Sequence, residues 1–212
     1  MTSLPNILTI SRMVLVAPFV GAFYLPDAEA AALVTFSIFI LAAVTDFFDG
    51  WLARRLSVTS QFGRVFDPIA DKLLVAAALI MLTLRTSDAE WTIFSIPYGP
   101  LTIPVVAILC RELLISGLRE GMAGRFTLPV NHLGKWKTAC QMIAIGLLLG
   151  GPALATFTNP EWINLEDGEM MPMIYVIIFA GQILIWTAAV LSWLSAAIYL
   201  LAVSRQLWLP EE

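Results

Sequence analysis

Six apolar stretches, near residues 7–25, 31–56, 65–85, 99–120, 134–157 and 172–204, take up most of the 212-residue chain. Each matches the roughly 20 residues that an α-helix needs to cross the hydrocarbon of a bilayer. Composition agrees: 59% of residues are hydrophobic, 13% are charged and the mean hydropathy is +0.84, whereas a soluble domain carries about 25% charged residues. Disorder, a disulfide scaffold and an ordinary soluble globule are excluded. The expected fold is an all-α integral membrane protein with six transmembrane helices. Residues 1–212 are expected to form a single membrane domain, with no room for a separate soluble one. The net charge of −4 comes without a basic tract, so no nucleic-acid partner is expected. Cys110 and Cys140 lie in apolar segments without metal-ligand spacing and read as buried small residues. The start, MTSLPNILTISRM, lacks a small-residue cleavage pattern and is interrupted by Arg12, so it reads as retained rather than as a secretory signal.

Lysine and arginine set the orientation. With the N-terminus inside, the outer loops near 24–30, 86–98 and 158–171 hold acids such as Asp27, Glu90 and Asp167 and contain no Lys or Arg. The inner side receives Arg54, Arg55, Arg64, Arg125, Lys135, Lys137 and Arg205. This one-sided bias predicts an N-in, C-in topology.

Against that background four aspartates are out of place. The second stretch ends T-D-F-F-D-G-W-L-A-R-R and the third begins G-R-V-F-D-P-I-A-D-K-L-L. An ionised Asp within hydrocarbon costs about 2.5–3.5 kcal/mol even on the lenient insertion scale. Asp46 and Asp49 are three residues apart, and Asp67 and Asp71 four apart, so each pair shares a helix face. The two helices are expected to be antiparallel neighbours, with both pairs near the inner end. Four carboxylates converging there repel one another unless cations lie between them, and all-oxygen ligands suit Mg²⁺ or Mn²⁺. Two ions sharing such a site would serve phosphoryl chemistry. Gly50, Ala53 and Gly63 clear space on the carboxylate face, for a neighbouring helix or for a bulky ligand. Arg54 is suited to bidentate phosphate contacts or to anchoring the inner end. The rival uses of the acids are interhelical salt bridges and a cation or proton path.

Residues 46–71 spell D-x-x-D-G-x-x-A-R-x(8)-G-x-x-x-D-x-x-x-D, with Asp46, Asp49, Gly50, Ala53, Arg54, Gly63, Asp67 and Asp71 at its fixed positions. This resembles the signature of the CDP-alcohol phosphotransferases. The start L-P-N-I-L-T-I-S-R and the later R-E-L-L-I-S-G-L-R-E and G-K-W-K-T resemble the branch whose acceptor alcohol is sn-glycerol 3-phosphate. The resemblance covers the first two-thirds of the chain, and the last span shares only hydropathy. It implies a phospholipid-synthesising transferase of the cytoplasmic (inner) membrane, its metal site at the cytoplasmic surface, commonly a homodimer. It also implies transfer of a phosphatidyl group from CDP-diacylglycerol to the alcohol, with release of CMP. By the same resemblance Asp46, Asp49, Asp67 and Asp71 belong to the metal site, and Asp71 is the general base. Gly50, Arg54 and Ser60, with Ala53 and Gly63, would hold the CDP-diacylglycerol headgroup, Pro5 and Asn6 lying nearby.

A phosphorylated acceptor needs cations. Arg111, Arg119 and Lys135 are expected to form its pocket. Arg111 and Arg119 are eight residues apart and share a broad helix face, while Glu112 is expected to point elsewhere. A structural ion pair is the alternative for Arg111. Lys137 and Arg125 read as lipid-headgroup anchors, His132 as a loop residue with a minor chance of touching phosphate, and Trp136, Trp91, Trp162 and Trp208 as an interfacial belt. Two rivals remain open: the same chemistry on phosphatidylglycerol (a cardiolipin synthase) or inositol phosphate, and a cation-coupled transporter.

Overall fold

The computed structural model describes residues 4–56, 61–87, 101–122, 132–157 and 173–208. Six helices follow one another: α1 (Leu4–Ala22), α2 (Ala28–Leu56), α3 (Gln61–Ser87), α4 (Thr102–Gly121), α5 (His132–Ala155) and α6 (Met173–Trp208). Among the described residues no strand occurs. The helices match the six apolar stretches, and the main surprise is their length. The 36 residues of α6 reach about 54 Å at 1.5 Å per residue, well past a hydrocarbon core of about 30 Å.

Among the described residues three helices are long and apolar enough to cross a membrane, over Ala28–Asp46, Leu133–Ala155 and Val176–Ser204. Shorter apolar helical segments cover Thr9–Ala22 and Lys72–Leu84. Charge explains the difference. α3 begins with Asp67, Asp71 and Lys72, and α4 carries Arg111, Glu112, Arg119 and Glu120. Each of these helices therefore combines an apolar part with a charged one. In α2 the apolar window closes at Asp46, and the helix runs on through Asp49, Gly50, Ala53 and Arg54.

The side chains are distributed as they are where lipid replaces water. On α6 the bulky Phe179, Ile183, Trp186, Val190 and Leu201 face outward, while Ala188, Ser192, Ser195 and Ala196 are buried. Small residues let helix backbones approach closely where no hydrophobic effect separates lipid from protein. The approach is tightest between α5 and α6. A Cβ on Gly151 would lie 2.8 Å from Ile178 Cγ1, and one on Gly181 would lie 2.9 Å from Leu148 Cγ. On its other side α5 meets α2, where a Cβ on Gly150 would lie 3.0 Å from the Phe36 ring and one on Gly146 3.8 Å from Phe39. Both sets of contacts run in opposite chain directions, so α5 is antiparallel to α2 and to α6. The core between them holds Phe39, Ile145, Leu148, Leu149, Ile178 and Ile185.

α1 packs against both α2 and α3, closing the other side of the bundle with an edge-to-face Phe19–Phe23 pair, ring centroids 5.2 Å apart. Cys110 corrects an expectation: it is exposed rather than buried, on the outward face of α4 with Val106 and Leu113. That face is apolar because it meets lipid, so hydropathy alone does not distinguish it from the core. Trp136, at the start of α5, is 68% exposed, where an interfacial tryptophan belongs.

Candidate active site

Charged side chains gather at one end of this bundle, and helix direction puts them there. α4 and α6 run parallel, as three successive contacts show. Trp193 Nε1 donates to the Ala107 carbonyl at 3.0 Å. Arg111 Nε donates to the Ser192 carbonyl at 3.0 Å, and its Nη2 to Ser195 Oγ at 3.2 Å. Two turns on, Arg119 Nη2 donates to Tyr199 Oη at 3.0 Å, with the guanidinium 5.6 Å from the centre of the Tyr199 ring. Arg111 and Arg119 do share a face, and that face is turned to α6.

Three further cations and one carboxylate complete the basic side. Glu112 Oε1 accepts from Lys137 Nζ on α5 and from Arg111 Nη1, the latter at 3.2 Å. Lys72 Nζ on α3 donates to Ser116 Oγ on α4, and Ser116 in turn donates to the Glu112 carbonyl at 2.6 Å. Arg111 and Lys137 are buried, while Lys135 is exposed on the first turn of α5.

Two expectations are corrected here. Glu112 does not point away from Arg111. Adjacent helical residues face different directions, but the guanidinium is long enough to meet the neighbouring carboxylate. Lys137 is not a headgroup anchor, because its stem and ammonium are drawn inward by Glu112. Arg111 has the ion pair considered as its alternative role, together with two hydrogen bonds to α6.

The acidic side is built on α2 and α3. Asp46 lies where the apolar window of α2 ends, and its half-exposed carboxylate pairs with the buried guanidinium of Arg12 on α1. Asp49, Gly50, Ala53 and Arg54 follow within the next turns of α2, while Gly63, Asp67 and Asp71 occupy the first turns of α3. Their side chains lie outside the described residues, as do those of Pro5 and Asn6 on the first turn of α1 and that of His132. Ser60 lies outside them altogether.

Register carries this acidic end to the basic one. Phe36 stands at Gly150 and Phe39 at Gly146, so continuing down α2 brings Asp46 to the level of the first turns of α5, where Lys137 sits. Lys72, at α4's Ser116, directly follows Asp71 in α3. Aspartates and basic residues from α1 to α5 are thus at one end of the bundle, with Ser192, Ser195 and Tyr199 of α6 beside them.

Sequence reasoning passed over Arg12, Lys72 and Glu112. Arg12 had a usable signal: a cation inside an apolar run needs a partner. Among the described side chains, Asp46 alone of the four acids shows its carboxylate. Its oxygens, already paired with one cation, are of the hard type that Mg²⁺ and Mn²⁺ prefer. Among the described residues no group of three or more such ligands comes together, so one carboxylate of the right chemistry is what the described side chains offer an ion.

Comparison with known proteins meets this geometry. The family model for CDP-alcohol phosphatidyltransferase matches residues 2–194. A Rickettsia felis protein named CDP-diacylglycerol–glycerol-3-phosphate 3-phosphatidyltransferase is 36% identical over 204 residues, 96% of either chain. One of the same name from Cereibacter sphaeroides is 45% identical over 157 residues, 72% of this chain and 65% of that one. A protein from Oryza sativa named cardiolipin synthase (CMP-forming) is 36% identical over 195 residues, 89% of this chain and 56% of that one. The match runs through the aspartate-bearing ends of α2 and α3 and on across α4 and α5 to the middle of α6, and so the chain belongs to the CDP-alcohol phosphatidyltransferase family.

Proposed function

We propose that this protein transfers a phosphatidyl group from CDP-diacylglycerol to sn-glycerol 3-phosphate, giving phosphatidylglycerophosphate and CMP. One observation carries the reading: the helix segments bearing the four aspartates and those bearing Lys72, Arg111, Arg119, Lys135 and Lys137 meet at the same end of the bundle. The reaction needs such a junction, because a cation-dependent pyrophosphate site and an anion-binding acceptor site must share one phosphorus atom.

In this reading Asp46, Asp49, Asp67 and Asp71 hold the divalent cations, Mg²⁺ or Mn²⁺, two per site. When bound, these would offset the negative charge of the donor's pyrophosphate. Asp71 accepts the proton of a glycerol hydroxyl. That oxygen attacks the phosphorus bearing the diacylglycerol as the bond to CMP breaks, so no covalent enzyme intermediate is required. Gly50, Ala53 and Gly63 leave room for the headgroup, and Arg54, Ser60, Asn6 and Pro5 contact it. Arg111, Arg119 and Lys135 serve the acceptor phosphate. Arg111 does so from a guanidinium held by α6, and Lys137, buried where Lys135 is exposed, shares the Glu112 carboxylate with it. The architecture that suits this chemistry is a single membrane domain with six spans, N-in and C-in. The protein would lie in the cytoplasmic membrane among its lipids, as a homodimer, with the site opening to the cytoplasm.

A radiolabelled-acceptor assay in detergent tests this. Purified protein receives CDP-diacylglycerol, Mg²⁺ or Mn²⁺, and glycerol 3-phosphate, inositol phosphate or phosphatidylglycerol in parallel. Metal-dependent CMP release with a labelled lipid from glycerol 3-phosphate alone is the expected result. The likeness to a relative named cardiolipin synthase gives phosphatidylglycerol second place, and turnover with it would discard the acceptor assignment while keeping the chemistry. No metal-dependent CMP release with any acceptor would overturn the enzyme reading in favour of a cation-coupled transporter.

A further inference from the structure

Glu112 is a partly buried charge that the proposed chemistry does not use. Its carboxylate meets Arg111 and Lys137, each only 6% exposed, and keeps 23% exposure itself. Through Ser116 the same turn of α4 also receives Lys72 from α3. Two buried cations from two helices therefore share one carboxylate, and the exposed Lys72 approaches the same turn from a third. A purely structural pair needs one cation, and additional buried positive charge is costly unless an anion matches it. Among the described side chains the two buried cations exceed this one carboxylate by a positive charge, which an anionic phosphomonoester would match.

The hydrogen-bond inventory separates the two buried cations. Nε, Nη1 and Nη2 of Arg111 all have protein acceptors, on α6 and at Glu112. Among the described residues Lys137 has only Glu112, although an ammonium carries three donors. It therefore has donors to spare beside a guanidinium that is already held. Without Glu112, Lys137 would lie next to Arg111 with nothing to keep it inward.

We infer that Glu112 is a positioning residue for the acceptor, holding Lys137 beside Arg111 so that the ammonium's remaining donors take the phosphate of sn-glycerol 3-phosphate. The inference rests on the proposed function, which it deepens: Lys137 replaces Lys135 as the α5 cation of the pocket, and Glu112 sets where it stands.

The test uses the full-length protein in detergent with its metal. KM for glycerol 3-phosphate, KM for CDP-diacylglycerol, kcat and the unfolding temperature are measured for Glu112→Gln, Glu112→Asp, Lys137→Met and the double variant Glu112→Gln/Lys137→Met. Loss of one charge-assisted hydrogen bond corresponds to about tenfold or more. Glu112→Gln should raise the acceptor KM by that factor, with donor KM and saturated kcat within about threefold of wild type. Glu112→Asp should recover most of the loss. The double variant should match Lys137→Met, because Glu112 acts through Lys137. It also removes both members of the pair, so it keeps the test open if Glu112→Gln alone fails to fold.

Equal increases in both KM values, an unchanged acceptor KM in Glu112→Gln, or additive losses in the double variant would overturn the inference. Failure of the wild-type protein to use glycerol 3-phosphate would instead overturn the proposed function, and this inference with it.

Discussion

The two charged regions of this bundle are held in opposite ways. On the basic side the partners are internal: Arg111 is bound by Ser192, Ser195 and Glu112, Arg119 by Tyr199, and Lys72 by Ser116. These contacts tie α3, α4 and α6 together, and Lys137 on Glu112 adds α5. On the acidic side the one carboxylate in view, Asp46, is half exposed and meets a cation from α1. The basic region is preorganised by the fold, so its geometry exists before substrate arrives. The acidic region, in the proposed function, takes up divalent cations to balance its charge. In the proposed function, preorganised cations suit a substrate selected from solution, and the four aspartates suit ions that arrive with the donor's pyrophosphate.

The largest break in this comparison should come from the acidic side. A positioned general base contributes about 10²- to 10⁴-fold, so Asp71→Asn is expected to lower kcat by that factor while leaving CDP-diacylglycerol binding largely intact. Turnover and donor binding measured on the same preparation check it. Wild-type turnover would remove Asp71 as the base.

The next effect tests whether the acidic region has any protein-built order of its own. Residues that orient a metal's ligands typically cost 10- to 100-fold in metal affinity or activity when removed. Arg12→Gln takes away the partner of Asp46 and should weaken Mn²⁺ binding by about that factor, read by electron paramagnetic resonance titration without substrate. Unchanged Mn²⁺ affinity would mean that Asp46 needs no fixing from α1, and that the ion pair belongs to the packing of α1 alone.

How far each region was legible in the sequence follows from the distances in chain that define it. Asp46, Asp49, Asp67 and Asp71 announce themselves through local spacing on two consecutive helices, and the cost of charge in an apolar run marks them without any knowledge of the fold. The six helices were legible for the same reason. The partners of Arg111 lie more than 80 residues away on α6, a segment with nothing but hydropathy to mark it. Ser192, Ser195 and Tyr199 gain meaning only once α4 and α6 are known to run parallel in that register. Lys135 and Lys137 are two residues apart on one helix, and sequence chose the exposed one, because burial depends on which face of α5 meets Glu112. Arg12 lay between these cases: its oddity was visible, its partner was not.

Arg119 tests the preorganised side at its rim. It is exposed, so its loss should leave the fold intact. Arg119→Ala is expected to raise the KM for glycerol 3-phosphate about tenfold, as for one lost charge-assisted contact, with little change in the KM for CDP-diacylglycerol. An increase confined to the donor KM would assign Arg119 to the pyrophosphate side and shift the boundary between the two regions.

The smallest effect separates contact from preorganisation at the same place. Tyr199 is buried on α6, packed with Ile115 and Ala196, and touches Arg119 in two ways: its hydroxyl accepts from Nη2 and its ring lies under the guanidinium. Tyr199→Phe keeps the ring, and with it the packing and the cation–π contact of about 0.5–1 kcal/mol at an exposed site, and removes only the acceptor oxygen. If the hydroxyl merely adds to the hold that the ring already provides, the acceptor KM should rise about two- to threefold, well short of Arg119→Ala. An effect as large as that of Arg119→Ala would mean that the arginine is useful only in the direction the hydroxyl gives it. The basic region would then be preorganised out to its exposed edge, and its contrast with the cation-dependent acidic region would be complete.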